Sequence, residues 1–287
     1  AMEIGTGMTP FIEKYPDRYV DVGIAEEHAV TYSAGLAAEG FKPVVPIYST
    51  FMQRAYDHIF HDALLQKLPL VYCMDRAGVV GPDGPTHHGV FDIAFMCTLP
   101  GMIVTAPKDG NELRNLLATA LKSQRNYSIR YPKASSRNFD PEGKPQLLEI
   151  GSWEILQKGD DVAILAVGSM VGMVSDVKNK INQNLGFSPT LVNARFIKPF
   201  DSDLLIELCA SHKTLLTIEE GVLSGGFGSA VSTFLHENNF TNKLIRLGIP
   251  DNFVEHGTRK ELLEDLGLTS DNIISLLKIK ENKIIYG

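Results

Sequence analysis

The chain has 287 residues, 44% of them hydrophobic and 21% charged, enough for two domains that each bury a core. Its net charge is −7, from 34 acidic and 27 basic residues, and no basic stripe interleaves with aromatics, which argues against nucleic acid as a partner. Cys73, Cys97 and Cys209 lie far apart without a CxxC pair, no metal-ligand cluster stands out, and no apolar run approaches the roughly 20 residues that cross a bilayer. Together these features predict a cytoplasmic protein with neither a disulfide framework nor a membrane anchor.

From Arg18 to Pro132, strand-like and helix-like segments alternate. Strands are predicted at Arg18–Gly23, Pro43–Tyr48, Leu68–Arg76, Met102–Ala106 and Tyr127–Tyr131, with helices at Glu26–Ala38, Thr50–Gln66, Phe91–Cys97 and Gly110–Lys122. Such alternation implies a mostly parallel sheet with helices on both faces. The polar, Pro/Gly/Ser-rich stretch Lys133–Glu149 reads as connecting chain. A second alternation follows: strands at Asp161–Gly168, Thr190–Arg195, Thr214–Ile218 and Lys243–Leu247, and helices at Ser169–Gln183, Ser202–Ala210, Ser224–Glu237 and Thr258–Leu266. The expected architecture is two three-layer α/β/α domains, 1–138 and 150–287, joined by a linker over 139–149. This second half shows few clusters of chemical residues, and it reads as a docking and stability domain. Its SGGFG stretch (Ser224–Gly228) has the wrong order for a dinucleotide loop and reads as a tight turn opening a helix.

Three segments carry chemistry. The first is IAEEHAV (Ile24–Val30), where Glu26 and Glu27 would occupy the first turn of a helix. The helix macrodipole favours carboxylates there, so capping accounts for them as well as catalysis does. The second is YSTFMQRAYD (Tyr48–Asp57), with Phe51 and Arg54 one turn apart on a shared helical face. An aromatic at such a place is ordinarily core; a flat heteroaromatic ligand would reverse that. The third is DRAGVVGPDGPTHHGVFD (Asp75–Asp92), which follows the apolar run LPLVYCM at the edge where open α/β sheets bind ligands. It holds Arg76, Asp83, His87 and His88 on a backbone constrained by five glycines or prolines between Gly78 and Pro85. Arg, Asp and His together suit an anionic, hydroxylated substrate.

The order IAEEH, IYSTFMQRAYDHIFHD, DRAGVVGPDGPTHHGVFD and RYPK resembles the 1-deoxy-D-xylulose-5-phosphate synthase family, thiamine-diphosphate enzymes of the transketolase superfamily. The resemblance runs from AMEIGTGM to LGIPDNFVEHG (Leu247–Gly257). It implies the pyrimidine-binding and C-terminal domains only. The family's first domain holds the cofactor's diphosphate and Mg2+ through a GDG…N motif, and this sequence contains no such motif. The chain is therefore expected to be a piece of the enzyme that needs that first domain as partner, within a homodimer.

The resemblance also implies roles. Glu26 would hydrogen-bond N1′ of the aminopyrimidine, Phe51 would stack on that ring, and Tyr48 and Arg54 would line the same pocket. Pyruvate would be decarboxylated and joined to D-glyceraldehyde 3-phosphate, with Arg76 and the RYPK motif (Arg130–Lys133) holding the phosphate. Lys133 stands where the family commonly has arginine. Asp83 would accept the acceptor's hydroxyl, His87 would move protons, and His88 would stay outside the chemistry. Two alternatives remain open: the β subunit of a 2-oxoacid dehydrogenase, and a dimerisation module without turnover.

Overall fold

The computed structural model describes residues 5–136 and 139–278. Helix α1 (Thr9–Lys14) and a short 3-10 turn at Pro16–Arg18 lead into α2 (Glu26–Ala38), β1 (Val44–Tyr48), α3 (Ser49–Met52) and α4 (Tyr56–His58). Then come β2 (Val71–Asp75), α5 (Asp92–Cys97), β3 (Ile103–Thr105), α6 (Gly110–Ser123) and β4 (Tyr127–Arg130). The second half runs β5 (Glu154–Gln157), β6 (Val162–Ala166), α7 (Met170–Leu185), β7 (Thr190–Asn193), β8 (Phe196–Lys198) and α8 (Ser202–Ser211). It ends with β9 (Thr214–Val222), α9 (Phe227–Glu237), β10 (Lys243–Ile249), α10 (Arg259–Asp265) and α11 (Ser270–Lys278).

Two five-stranded sheets result, ordered β1-β2-β4-β3-β8 and β10-β9-β6-β7-β5. Each is parallel except for one antiparallel edge strand, β8 in the first and β5 in the second. The inner parallel strands are apolar runs such as VAILA in β6, which is buried along its whole length because helices cover both faces. Register sets Tyr48 beside Asp75 and Met74 beside Arg130 at the carboxyl ends of β1, β2 and β4, and because successive residues alternate faces the two pairs point to opposite sides of the sheet.

Two sequence expectations fail. Arg18–Gly23 is not a strand: after the 3-10 turn the chain runs extended and largely exposed, with Asp21 accepting a hydrogen bond from the Gly23 amide (2.8 Å). β1 is an edge strand, with β2 as its one neighbour in the sheet. The helix expected over Thr50–Gln66 is broken. It passes from α3 through a 3-10 turn at Gln53–Ala55 into α4, and ends in a wide π turn over Ile59–Leu64. Elements β5, β8, α1 and α11 escaped the sequence reading.

The halves are welded together. β8 is contributed by the second half of the chain yet pairs with β3, with Val104 opposite Lys198 and Thr105 opposite Phe196. One apolar cluster runs continuously from Met52 and Leu70 to Trp153, Phe196 and Phe227. Polar contacts reinforce it: Asn193 donates to Glu112 (2.8 Å), Lys108 pairs with Glu154, and Lys198 Nζ donates to the carbonyls of Cys97 and Leu99 at 2.7 Å each.

Candidate active site

Glu26 is the first residue of α2, and only 1% of its surface is exposed. Among the described residues, its carboxylate accepts a hydrogen bond from Arg54 Nη1 at 3.2 Å. The 3-10 turn at Gln53–Ala55 is the segment that carries Arg54. Glu26 lines a small pocket together with Thr6, Ile24, Pro46, Ile47, Tyr48 and Phe51. The walls are apolar or aromatic and the carboxylate supplies the acidic group.

The aromatic side is ordered by stacking. Tyr48 and Phe51 lie face to face, centroids 5.5 Å apart and 11° from parallel. His87 meets the Phe51 ring edge-on at 5.4 Å, and the Arg54 guanidinium lies 4.7 Å from its centroid. The Arg76 guanidinium covers the other aromatic, 3.8 Å from the Tyr48 centroid. Burial pushes the Tyr48 phenol above its ordinary range, and the Arg76 charge opposes that shift. Of the sequence-derived residues, Glu26, Tyr48, Phe51, Arg54, Arg76 and His87 are thus linked in one chain of contacts.

Arg76 holds a left-handed backbone conformation (φ 58°), uncommon for a residue other than glycine, and is buried. Its Nη1 donates to Asp75 Oδ2 (2.6 Å) and to the Gly5 carbonyl (2.8 Å), while its amide donates to Asp75 Oδ1 (2.7 Å). Burial raises the Asp75 carboxyl above its ordinary range, with Arg76 pulling it back. Asp83 and Lys133 sit on the rim, mutually paired at 3.5 Å and open to solvent.

Arg130 lies elsewhere. The sequence reading put it among the phosphate ligands, whereas its guanidinium is buried in the seam between the halves. It donates to Asp92 Oδ2 (2.9 Å) and to the Glu220 carbonyl (2.9 Å). The two flanking residues of the RYPK motif therefore point to different places, Lys133 to the rim and Arg130 to the seam. His88 is buried, and its tautomer follows from its partners. Nδ1 accepts from the Val80 amide (3.0 Å), so Nε2 carries the proton and donates to the Glu255 carbonyl (3.0 Å).

The second half holds two residues that sequence reasoning missed, Glu219 and Glu220 near the end of β9, both fully buried. Glu219 accepts from the amides of Phe227 and Gly228, each at 2.8 Å, so the SGGFG turn presents its helix N-terminus to the protein's own carboxylate. Burial pushes this carboxyl from 4.5 up to about 7, against the pull of those two amides. A pair of acids inside the run TLLTIEEGV was the available signal, since buried carboxylates need partners. Among the described residues no group of three or more His, Cys, Asp or Glu could hold a metal ion, and no helix is long and apolar enough to cross a membrane.

The two halves also match known proteins. A model of the transketolase pyrimidine-binding domain matches residues 1–138, and a model of the transketolase C-terminal domain matches 151–273. The 1-deoxy-D-xylulose-5-phosphate synthase 1 of Geobacter sulfurreducens is 48% identical over 274 residues, which is 95% of this chain and 43% of that protein. The synthase of Heliobacterium modesticaldum is 47% identical over 273 residues, 95% of this chain and 42% of that one. The chain thus spans less than half the length of these curated relatives. A solved chain described as split gene transketolase, inactive beta4 tetramer, matches with a TM-score of 0.84 at 27% identity, covering 93% of this chain and 86% of that one. Transketolase from Campylobacter jejuni shares the fold, with a TM-score of 0.73 at 20% identity over 91% of this chain and 39% of that one. Both halves of the molecule are accounted for by domains of one family, and the chain belongs to the transketolase family as its pyrimidine-binding and C-terminal domains.

Proposed function

We propose that this chain forms the aminopyrimidine half of a thiamine-diphosphate-dependent transferase. That enzyme would condense pyruvate with D-glyceraldehyde 3-phosphate to give 1-deoxy-D-xylulose 5-phosphate and carbon dioxide. The observation that carries the reading is the buried Glu26 carboxylate set into a pocket walled by Tyr48 and Phe51. These residues fit a flat heteroaromatic ring: aromatic and aliphatic surfaces for its faces, one carboxylate for a ring nitrogen. When bound, thiamine diphosphate supplies the nucleophilic carbon that lets a 2-oxo acid lose carbon dioxide.

The chain's own residues then have definable tasks. Glu26 holds a proton against a ring nitrogen, where a positioned acid contributes about a hundredfold to ten-thousandfold in rate. Arg54 keeps the carboxylate oriented from the half-exposed side. His87, edge-on to Phe51, is the proton carrier nearest the stacked rings, and Asp83 takes the acceptor's hydroxyl at the rim. Arg76 and Lys133 face the acceptor's phosphate. Lysine retains the charge expected at position 133 and loses the bidentate fork of arginine. Arg130 drops out of the ligand set because its donors are engaged in the seam.

The synthase names of the curated relatives support this substrate pair over a dehydrogenase β subunit. The curated relatives extend well beyond the matched stretch, and the diphosphate and Mg2+ would be bound by a domain outside these residues. A dimeric, cytoplasmic enzyme completes the proposal. The test is turnover of purified chain with pyruvate, D-glyceraldehyde 3-phosphate, thiamine diphosphate and Mg2+, with and without a separately made diphosphate-binding domain. Product formation that depends on both chains is the expected result. Reduction of a lipoyl acceptor in place of triose-phosphate consumption would overturn it.

A further inference from the structure

The loop bearing Arg76, Asp83 and His87 does not stand by itself. Its base is closed by reciprocal hydrogen bonds between Gly78 and Gly89 (2.7 and 3.0 Å). Above that closure it rests on the second half of the chain. The Val79 amide donates to Glu220 Oε2 at 2.9 Å, across 141 residues of sequence. The other oxygen of the same carboxylate accepts from Ser169 Oγ (2.9 Å) and pairs with Arg259. A capping box at Thr258 and Glu261 fixes the start of α10, which carries Arg259. Gly78 is left with no room for a side chain: φ is +83°, and a Cβ would fall 2.3 Å from Glu220 Oε2. The Glu220 carbonyl meanwhile accepts from Arg130, which ties it to the end of β4.

We propose that Glu220 is a positioning residue: through the Val79 amide it sets the orientation of the loop that presents Arg76, Asp83 and His87. The carboxylate is not among the residues lining the Glu26 pocket, so it acts through the loop. His88, donating to the Glu255 carbonyl, is a second attachment on the far side of the Gly81–Gly84 turn. Between the two attachments lies the segment carrying Asp83. A carboxylate is required because it must accept from an amide, a hydroxyl and a guanidinium at once. Glutamine offers one acceptor oxygen and turns a donor toward the others. Aspartate keeps the charge and loses the reach.

The loop's catalytic meaning rests on the function proposed above, so the test has two arms. In the first, amide hydrogen exchange is followed on the whole chain for the wild type, Glu220→Gln, Glu220→Asp and the gentler Ser169→Ala. Exchange over residues 77–90 should quicken by about tenfold or more in the Glu220 variants and by less in Ser169→Ala, with β6 unaffected. Unchanged protection in the loop, or an equal loss throughout the molecule, overturns the proposal. In the second, steady-state kinetics are measured with the complementing diphosphate-binding domain present. The KM for D-glyceraldehyde 3-phosphate should rise about tenfold in Glu220→Asp while kcat stays within about threefold. A fall in kcat with KM unchanged overturns the proposal. A wild-type assembly that makes no product would refute the function, while the exchange arm would still decide the role of Glu220.

Discussion

Glu26 and Glu220 are equally buried, at 1% exposure each, and each lies where a helix or strand meets the loops above its sheet. Their partners separate them. Among the described residues, Glu26 is met by one longish bond, from a half-exposed arginine, and it faces a pocket. Glu220 is met by an amide, a hydroxyl and a guanidinium. Burying a carboxylate is costly unless hydrogen bonds compensate, so Glu220 is compensated within the fold and Glu26 is left with capacity for a ligand. Burial alone does not mark a functional acid; incomplete satisfaction beside a cavity does.

The contrast can be broken experimentally. The largest effect should come from Glu26→Ala in the complete enzyme, a loss of about a thousandfold or more in turnover with the melting temperature little changed. Unchanged turnover would remove Glu26 from the chemistry. Next is the seam. Arg130→Ala leaves Asp92 buried without its partner, and chemical denaturation should show a loss of about 3–5 kcal/mol. A loss under about 1 kcal/mol would mean the seam is wetter than its burial indicates.

A third effect belongs to Glu219. Its folded-state carboxyl is raised from 4.5 to about 7, so the native state binds the extra proton in that interval. Stability from this group is fully present below about pH 4.5 and is lost as pH rises through about 7, a change of up to about 3 kcal/mol. Urea titrations from pH 5 to 8 should show this decline flattened in Glu219→Gln; an identical slope would place the titration elsewhere. Smallest of all is Arg54→Ala, which should cost less stability than Arg130→Ala because its guanidinium is half exposed. Its turnover should fall far more than its stability, and equal losses would assign Arg54 to the scaffold.

The parallel strands and α2 were legible because apolar runs bounded by turn residues have few other ways to be buried. The residues that gather around the pocket were legible too, since Glu26, Tyr48, Phe51 and the Arg76 loop fall within short segments of sequence. What stayed hidden depends on contacts that no local pattern encodes. Arg130 reads as a phosphate ligand until Asp92 and the Glu220 carbonyl close around it. The Thr50–Gln66 region has the spacing of one helix, yet its turns tighten at Gln53–Ala55 and widen at Ile59–Leu64. Glu220 and Val79 are joined only by the folded chain. Arg18–Gly23 looked like a strand because β-forming residues say nothing about whether a neighbouring strand is available.

The loan of β8 to the first sheet makes the covalent connection between the halves dispensable once folding is complete. A proteolytic nick within 139–149, where most residues are exposed, would leave two fragments that still co-elute, stitched by the β3–β8 ladder and the shared core. Expressed without its second half, the first would carry β3 as a bare sheet edge, an open template for aggregation. In recombination or engineering, the two halves are inherited as one module.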